Sequence, residues 1–492
     1  MKGKKAALIF LAIILALPLL ACKSAKEPGD ASGDGLGMPD ENEKATAPPN
    51  GFAELPAIDY GGVEFVIANI SGYDWCDVTL DVDSDNTGEM LNDAIYRRNR
   101  VVEDKYNVIM KIVEVPYPDM SNKVKNQMLA GACDYELIQV SMRDIARCTI
   151  DNYIADAKKL DQLDLTNPWW DGVFNESTTI CGRQFFLYGD FTIADKEYVN
   201  VIFLNKDLQK TYGLPDFYQI VREGKWTQAA MLEAMKMVTI DLNGDGKWTK
   251  EDQYGLTTNP HQSQLIFYAT GANVVKKDKD DMPYWTITDE FYLDAFSKTW
   301  TFLNTDNTTA ESFRLGTHQD NMFADGKALF DSSLLAAMRA PWDYQHSMEQ
   351  DFGVLPTPKL DENQEQYLSP MALSTPCMVI TNNEKQRVDR ACVILEAFNA
   401  KSSEEVQPKY RENALPNKCF RDEESFEMLD IIMDNRVVDL AAVYGWGGIE
   451  AKMQDLLNSN GYDKVASTIE QMFEKSDAAM KSDTEKILGL EQ

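Results

Sequence analysis

The sequence predicts an α/β protein in which largely parallel sheets carry helices on both faces. Strand-like and helix-like segments alternate in the first third of the chain, and a similar alternation recurs further on. The 44% hydrophobic content is that of an ordinary soluble globular protein. The 492 residues are enough for two or more domains with full cores.

The first run of elements predicts βαβ units. Strand, helix, strand, helix, strand at this spacing makes a parallel sheet, and such sheets bind ligands beyond the carboxyl ends of their strands. The segments 71–77 and 141–144 follow the first and third strands, so we expect ligand contacts there. The predicted elements are strands at 62–68, 107–113 and 135–140 and helices at 89–106 and 119–130.

The later elements repeat this pattern of buried strands and amphipathic helices. Thr227 is predicted to cap a helix at 226–239, and the segment 253–256 is predicted to begin a strand. The other predicted elements are strands at 198–204, 328–331, 352–356 and 378–380 and helices at 385–400, 423–435, 448–459 and 463–481.

The amino-terminal segment has the layout of a bacterial export signal. Three lysines precede an apolar run at 6–21, which at roughly 16 residues is short for a transmembrane helix. The run ends in Leu19-Leu20-Ala21-Cys22, which resembles the lipobox of lipoprotein signals. This predicts a signal peptide at 1–21 and lipid on Cys22, which would hold the protein at the outer face of the bacterial cell membrane. An amino-terminal anchor that is never cleaved is the alternative.

The residues after Cys22 differ in composition from the rest of the chain. Residues 22–57 are rich in Gly, Ala, Ser, Pro, Asp and Glu, so they predict a flexible tether. The whole chain has 48 Lys and Arg against 79 Asp and Glu, a net charge of −31. This charge excludes nucleic acid as a partner and suits a neutral or cationic ligand.

The seven other cysteines follow no metal-binding or disulfide pattern. They are scattered and never spaced as CxxC, so buried free thiols are expected, with one disulfide still open. These residues are Cys76, Cys133, Cys148, Cys181, Cys377, Cys392 and Cys419.

One loop follows the EF-hand template for calcium. Oxygen-bearing side chains occupy loop positions 1, 3 and 5, glycine occupies position 6, and Lys247 would offer its carbonyl at position 7. Position 12 is Asp252 where the template has a bidentate glutamate, and Glu251 is its neighbour. The alternative is a metal-free turn rich in Asp and Asn. The predicted structural calcium ligands are Asp241, Asn243, Asp245, Lys247 and Asp252.

The sequence carries no catalytic motif. Only three histidines occur, none of them in HExxH, and GxSxG and a P-loop are absent. We therefore expect no enzyme activity. Trp75 follows the first predicted strand, and Trp446 lies between glycines that would let its ring stand free of its neighbours. An exposed indole stacks on the apolar face of a sugar ring, so both are candidate ligand contacts. A place in the core is the alternative for each ring.

A set of short motifs, in this order, resembles the extracellular solute-binding proteins of family 1, the sugar-binding lipoproteins of ABC importers. The resemblance runs from about residue 60 to the end of the chain. The motifs are TGEMLNDAIYRRN at 87–99, GD at 189–190, NKDL at 205–208, the loop from Asp241, FADGKALF at 323–330 and GVLPTPK at 353–359.

The resemblance implies a type II periplasmic-binding-protein fold, with two α/β lobes that close on a ligand in the cleft between them. It implies that lobe one holds 58–188 and 372–420 and that lobe two holds 190–370 and 422–492. The crossovers near 188–190 and 374–375 would be the hinges. Carried onto this sequence, the cleft would be lined by Tyr73, Asp74, Trp75, Ser141, Arg143, Asp190, His261, Gln262, Ser332 and Trp446. A structural ion pair for Arg143 and a loop position for His261 are the alternatives.

The resulting hypothesis is a lipid-anchored, monomeric substrate-binding protein that delivers an oligosaccharide to the permease subunits of an ABC importer. A binder of peptides or another solute is the alternative within the same class. A cell-surface glycoside hydrolase or adhesin is the alternative from another class.

Overall fold

The computed structural model describes residues 51–72, 78–84, 89–316, 319–338, 343–411, 422–459 and 461–490. The predictions for the signal peptide, Cys22, Tyr73, Asp74 and Trp75 lie outside these residues. Within them, no helix is long and apolar enough to cross a membrane.

The first sheet has the strand order β12-β3-β1-β2. Strands β1 and β2 are parallel over their whole length, β1 and β3 are parallel, and β12 runs antiparallel to β3. The prediction of a largely parallel sheet built from βαβ units is therefore confirmed for this sheet, with one antiparallel edge strand. Its strands are β1 (Val63–Ser71), β2 (Val108–Pro116), β3 (Leu137–Ser141) and β12 (Pro376–Ile380).

The second sheet has the strand order β10-β4-β9-β5-β8 and is mixed. Strand β5 is parallel to β8 and β9, whereas β4 is antiparallel to β9 and β10. Its strands are β4 (Asn200–Asn205), β5 (Tyr254–Thr258), β8 (Thr309–Glu311), β9 (Ala328–Leu334) and β10 (Phe352–Leu355). Two small pairs complete the strands: β6 (Val275–Lys277) with β7 (Pro283–Trp285), and β11 (Ser369–Pro370) with β13 (Arg436–Val437).

Helices cover both sheets, and the long ones show the expected apolar faces. In α2 the buried residues include Leu91, Ala94, Ile95 and Val102, which recur at intervals of three and four. The helices are α1 (Gly51–Glu54), α2 (Met90–Tyr106), α3 (Met120–Leu129), α4 (Met142–Ile150), α5 (Gly172–Ser177), α6 (Ala194–Glu197), α7 (Lys206–Thr211), α8 (Phe217–Arg222), α9 (Gln228–Val238), α10 (Pro260–Tyr268), α11 (Glu290–Asn304), α12 (Ser312–Leu315), α13 (Gln319–Ala324), α14 (Tyr344–Ser347), α15 (Lys385–Lys409), α16 (Glu424–Asp434), α17 (Leu440–Tyr444), α18 (Ile449–Leu457) and α19 (Val465–Leu488).

Residues 51–57, at the end of the predicted tether, contact the rest of the described chain. Phe52 is buried, its backbone N–H donates to Glu404, and its carbonyl accepts from Lys105 at 2.6 Å. Helix α1 therefore packs on α15. The prediction of a flexible tether is therefore wrong for residues 51–57.

Two segments connect the sheets, and they lie side by side. Residues 187–199 lead from the first sheet to β4, and residues 371–375 lead back to β12. Leu187 and Met378 exchange both backbone hydrogen bonds, at 2.9 and 3.0 Å, and the Ala372 N–H donates to the Tyr198 carbonyl at 3.0 Å. The adjacent Trp169 and Trp170 donate their indole N–H groups to the buried carboxylate of Glu396 on α15. The connectors therefore leave from a rigid base.

The carboxyl-terminal helices contact elements that belong to both sheets. Helix α18 packs on α10, which follows a strand of the second sheet. Helices α17 and α19 pack on α4, which follows a strand of the first sheet, and Arg147 of α4 pairs with Asp483 of α19 at 3.3 Å. The tail of the chain therefore bridges the two halves of the fold.

Candidate ligand-binding cleft

The first side of the cleft is the carboxyl end of β3, where the chain turns into α4. Ser141 is the amino-terminal cap: its hydroxyl accepts from the Asp144 N–H at 3.3 Å and donates to the Asp144 carboxylate at 2.7 Å. Burial raises the pKa of Asp144, although the bond from Ser141 opposes this. Arg143, between them, is exposed.

The second side is the first turn of α10, which follows β5. Asn259 caps this helix by accepting the N–H groups of His261 and Gln262 at 2.8 and 3.1 Å, and Pro260 is its first residue. His261 is therefore a helix residue and not part of a loop. Its Nδ1 lies 3.0 Å from the Nε2 of Gln454 on α18.

The charge of Arg143 acts on two residues of this second side, His261 and Glu450. The pKa of His261 is lowered by burial and further by the positive charge of Arg143. The pKa of Glu450 on α18 is raised by burial, and Arg143 opposes that shift. The Glu450 carboxylate also accepts from Gln264, and from the Tyr268 hydroxyl at 3.3 Å. Helices from the two sheets therefore bring Arg143, His261 and Glu450 into one neighbourhood.

Several buried amides in the described residues have polar atoms without a partner, and two of them lie on or just after the strands described above. Gln262, in the first turn of α10 after β5, is 7% exposed and its Oε1 has no hydrogen bond, and Gln139 of β3 is 1% exposed with neither amide atom bonded. A buried polar atom normally finds a partner. Both residues therefore have unused hydrogen-bonding capacity.

A surface cavity of about 480 Å³ adjoins the carboxyl ends of β1 and β2. It is lined by Asn69, Ser71, Glu114 and residues 78–83. The Asn69 amide donates to the Val78 carbonyl at 3.2 Å and to Glu114 at 3.1 Å, whereas its Oδ1 has no partner among the described residues. Asn69 and Gln139 were not predicted as site residues, although a polar residue inside a predicted buried strand is a sequence feature that points to them.

Trp446 does not stand free, so that expectation is wrong. It is 1% exposed, its indole N–H donates to Asp483 at 3.2 Å, and its ring stacks on Tyr444 with centroids 5.3 Å apart. The glycines around it instead have positive φ angles, among them Gly445 at 63° and Gly447 at 63°, which allow the chain to turn between α17 and α18.

Ser332 and Asp190, the two remaining predicted ligand contacts, lie on neither α4 nor α10. Ser332 is fully buried within β9, where its hydroxyl bonds Asn200 at 3.3 Å. Asp190 lies in the connector beside Gly189 and pairs with Lys196 at 3.5 Å. Burial raises the pKa of Asp190, and Lys196 opposes this shift. Ser332 is thus a sheet-interior residue, and Asp190 is a connector residue.

The predicted calcium loop is a compact turn whose oxygens face its own backbone. The Asp241 carboxylate accepts from the N–H groups of Gly244 and Gly246 at 2.8 and 2.7 Å. Asp252 is fully buried and accepts from the Leu242 and Thr249 N–H groups at 3.1 and 2.8 Å. Among the described residues no three Asp, Glu, His or Cys side chains converge as a metal cluster. Carboxylate, amide and carbonyl oxygens are nevertheless the ligands that Ca²⁺ takes, so the loop fits the ion in its chemistry and calcium stays a prediction.

The described cysteines have no disulfide partner. Cys133, Cys148, Cys181, Cys377 and Cys392 are all buried and free. Burial raises the pKa of the Cys133 and Cys181 thiols to about 11 in each case. The prediction of buried free thiols is confirmed for these five residues.

The fold recurs in solved structures of ABC transport receptors, whereas no protein-family model and no curated protein matches the sequence. The ABC substrate-binding protein Lmo0181 from Listeria monocytogenes, in complex with cycloalternan, is 13% identical with a TM-score of 0.51, covering 87% of this chain and 98% of that one. The GacH receptor of Streptomyces glaucescens, solved with acarbose, is 14% identical with a TM-score of 0.51, covering 88% and 100%. UgpB from Mycobacterium tuberculosis, in complex with glycerophosphocholine, is 14% identical with a TM-score of 0.54, covering 86% and 99%.

The chain therefore has the two-lobed α/β fold of ABC substrate-binding proteins. At this level of identity the likeness establishes the fold, and it confirms the type II architecture that the sequence motifs implied.

Proposed function

We propose that this protein is a substrate-binding protein that captures an oligosaccharide for an ABC importer. The observation that carries the proposal is the shared fold over nearly the whole chain, because two of the three similar proteins described above were solved with oligosaccharides or an oligosaccharide mimic. Arg143 and Gln262 lie on helices that follow the carboxyl ends of β3 and β5, and α/β folds bind ligands beyond the carboxyl ends of their strands, which supports the proposal. The third protein holds glycerophosphocholine, so a non-saccharide solute is the second candidate.

Isothermal titration of the purified protein against a panel of oligosaccharides tests this function. We expect saturable binding of at least one saccharide, with the sugar recovered intact. A shortened sugar among the products would instead indicate a glycoside hydrolase. Binding of peptides or phosphodiesters, without any binding of saccharides, would contradict the oligosaccharide proposal and support the second candidate, a non-saccharide solute.

The proposed lobes are 58–188 with 372–420 and 190–370 with 422–492. The sheet membership of β1–β3, β12 and β4–β10 supports this division. Because α17 and α19 pack on α4, we propose that the carboxyl-terminal helices act as a third contact between the lobes, beside the two connectors.

We propose that lipid on Cys22 holds the protein at the outer face of the membrane, where it meets the permease. The apolar run before Cys22 and the small Ala21 support this. Cys22→Ser is expected to leave the protein without its acyl chains, because the thiol is their point of attachment. Metabolic labelling with a fatty acid and fractionation of cells measure this, and a labelled, membrane-bound Cys22→Ser protein would contradict it.

We propose that the loop 241–252 binds a structural Ca²⁺. A ligand that binds only the folded state raises stability by mass action, so the melting temperature should be higher with Ca²⁺ than with EDTA. Asp245→Ala is expected to abolish this difference, because it removes one carboxylate from the predicted ligand set. Glu233→Ala, on the exposed face of the preceding helix, is the matched control and should keep it. An equal calcium effect in both variants would contradict the site.

A further inference from the structure

Arg143 and His261 occupy equivalent positions on helices that follow strands of different sheets. Each is the second residue of its helix, α4 in one case and α10 in the other. Ser141 and Asn259 are the corresponding caps. The amino-terminal end of a helix carries a partial positive charge, so both helices favour a negative group beside these residues.

Helices α4 and α10 both pack on the carboxyl-terminal helices, α4 on α17 and α19 and α10 on α18, and α18 also packs on α17 and α19. The charge of Arg143 acts on His261 and on Glu450, and His261 in turn bonds Gln454 at 3.0 Å. Glu450 and Gln454 both lie on α18, which packs on α10. A residue of the first half of the fold is therefore within electrostatic range of two residues of the second half.

Arg143 has no carboxylate partner in the described part of the chain, where no acidic oxygen pairs with its guanidinium within 4 Å. Its neighbour Arg147, one turn later on the same exposed stretch of α4, pairs with both Asp151 and Asp483. Glu450 does not substitute for such a partner, because it is 5% exposed and its carboxylate is bonded to Gln264 and Tyr268. An exposed, unpaired guanidinium is a receptor for carboxylate, which it binds with two parallel hydrogen bonds.

Gln262, also in the first turn of α10, calls for a different chemical group on the ligand. It follows His261, it is 93% buried, and its Oε1 accepts nothing from the described residues. An amide oxygen repels a carboxylate but accepts from a hydroxyl. A ligand that satisfies both Arg143 and Gln262 therefore carries a carboxylate and hydroxyl groups together.

We infer that the ligand of this cleft is an acidic oligosaccharide, one built from uronic acid units. Its carboxylate accepts from Arg143 and from His261, and a hydroxyl donates to Gln262. This inference rests on the proposed function and names the class of saccharide. The net charge of −31 suggested a neutral or cationic ligand, and this inference replaces that expectation. Inside the cleft, the charges next to the ligand affect its binding more than the net charge of the whole protein does.

Calorimetric titration with matched pairs of ligands tests the inference. Each pair is a uronic acid oligomer and its methyl ester, of galacturonate, glucuronate or mannuronate, so that the two differ in the charge of the carboxylate and in one methyl group per unit. The wild-type protein should bind one acid form at least about tenfold more tightly than its ester, because the ester accepts only a weaker, uncharged hydrogen bond. Arg143→Met should remove this preference and leave the affinity for the ester unchanged. Arg147→Met is the control on the same helix and should keep the preference.

The outcomes separate the inference from the function on which it rests. Binding of neutral oligosaccharides only, or an acid preference that survives Arg143→Met, would overturn the inference and leave the proposed function standing. Binding of no saccharide at all, acidic or neutral, would overturn both.

The pH dependence of binding gives an independent readout. His261 has a lowered pKa and is neutral at pH 7, so its protonation at lower pH should strengthen binding of a carboxylate. Asp144 on α4 and Glu450 on α18 have raised pKa values and also lose charge as the pH falls. Affinity for the acid form should therefore rise between pH 7 and pH 5. In His261→Gln, the affinity for the acid form should rise less between pH 7 and pH 5. The same rise as in the wild type would show that His261 does not contact the ligand.

Discussion

Asp439 is a buried carboxylic acid at the start of α17, in the second half of the fold. It is 2% exposed and accepts the N–H groups of Val274 and Ala441 at 2.5 and 2.8 Å. Burial raises its pKa to about 7, despite these hydrogen bonds, and the neighbouring charge of Glu450 acts in the same direction. The side chain therefore changes charge in the physiological range.

The raised pKa of Asp439 predicts a stability that falls as the pH rises. The folded state holds this proton more tightly than the unfolded state, so the contribution is fully present below about pH 4 and is lost as the pH approaches 7. Val274 and Ala441 donate to different oxygens, so Asp439→Asn keeps an acceptor for one of them, loses the other and cannot ionise. We expect the urea midpoint of the variant, relative to that of the wild type, to be higher at pH 8 than at pH 5. The same difference at both pH values would contradict a buried, titrating Asp439.

Single residues show where sequence patterns were informative and where they were not. Ser141 and Arg143 were found because they follow a predicted strand, and the structure places them at its carboxyl end. The prediction for Trp446 is wrong because flanking glycines can either leave a ring exposed or allow a tight turn. Only the positive φ angles show that these glycines form a turn. The acid partner of its indole, Asp483, lies 37 residues away in the sequence, so no local pattern reveals it.

Among the elements, long periodic segments were predicted well and short ones were missed. The helix at 89–106 and the strands at 198–204 and 352–356 agree with the structure to within a few residues. Strand β8 and the β6–β7 pair have three residues each, which is too few for a period to emerge. The loop position offered as the alternative for His261 is wrong, because Asn259 followed by Pro260 is a cap and a first helical residue, and both start α10.

The connector between the sheets depends on Gly189, where the chain passes close to α15. A Cβ at this position would lie 2.8 Å from the Trp169 carbonyl oxygen and would also clash with the Asn399 side chain. That side chain accepts the Phe191 N–H at 2.9 Å, so it cannot move without losing a buried hydrogen bond. We expect Gly189→Ala to lower the free energy of unfolding by about 1–3 kcal/mol, as overpacking does. Urea denaturation measures this.

Gly172 provides the matched control for Gly189→Ala. It is the first residue of α5, and a Cβ there meets nothing within 4 Å. Gly172→Ala should leave stability unchanged or raise it by about 0.4–1 kcal/mol, since alanine restricts the unfolded chain. If both substitutions changed the free energy of unfolding equally, close packing around residue 189 would not be the cause of the effect.

At the scale of the whole molecule, the arrangement of the two sheets follows from contacts between distant residues. An example is Arg147 of α4 with Asp483 of α19. Local periodicity carries no information on such pairs, so the two-lobed fold was predicted from the order of motifs and not from spacing. The contacts of α17 and α19 with α4 were not predicted, and they are what joins the lobes beyond the two connectors.

The two connectors and the bridging helices together predict a molecule that closes on its ligand. Arg143 comes from one half of the fold and His261 and Gln262 from the other, so a ligand that binds all three holds the two halves together and favours the closed state. A ligand shifts the population towards the closed state only by its greater affinity for that state. The radius of gyration from small-angle X-ray scattering should therefore decrease when the wild-type protein is saturated with its saccharide. Arg143→Met, saturated with the same ligand, should show a smaller decrease because one cross-lobe contact is missing. An unchanged radius in the saturated wild-type protein would mean that the lobes are already closed without ligand, and that the cleft is a preformed site.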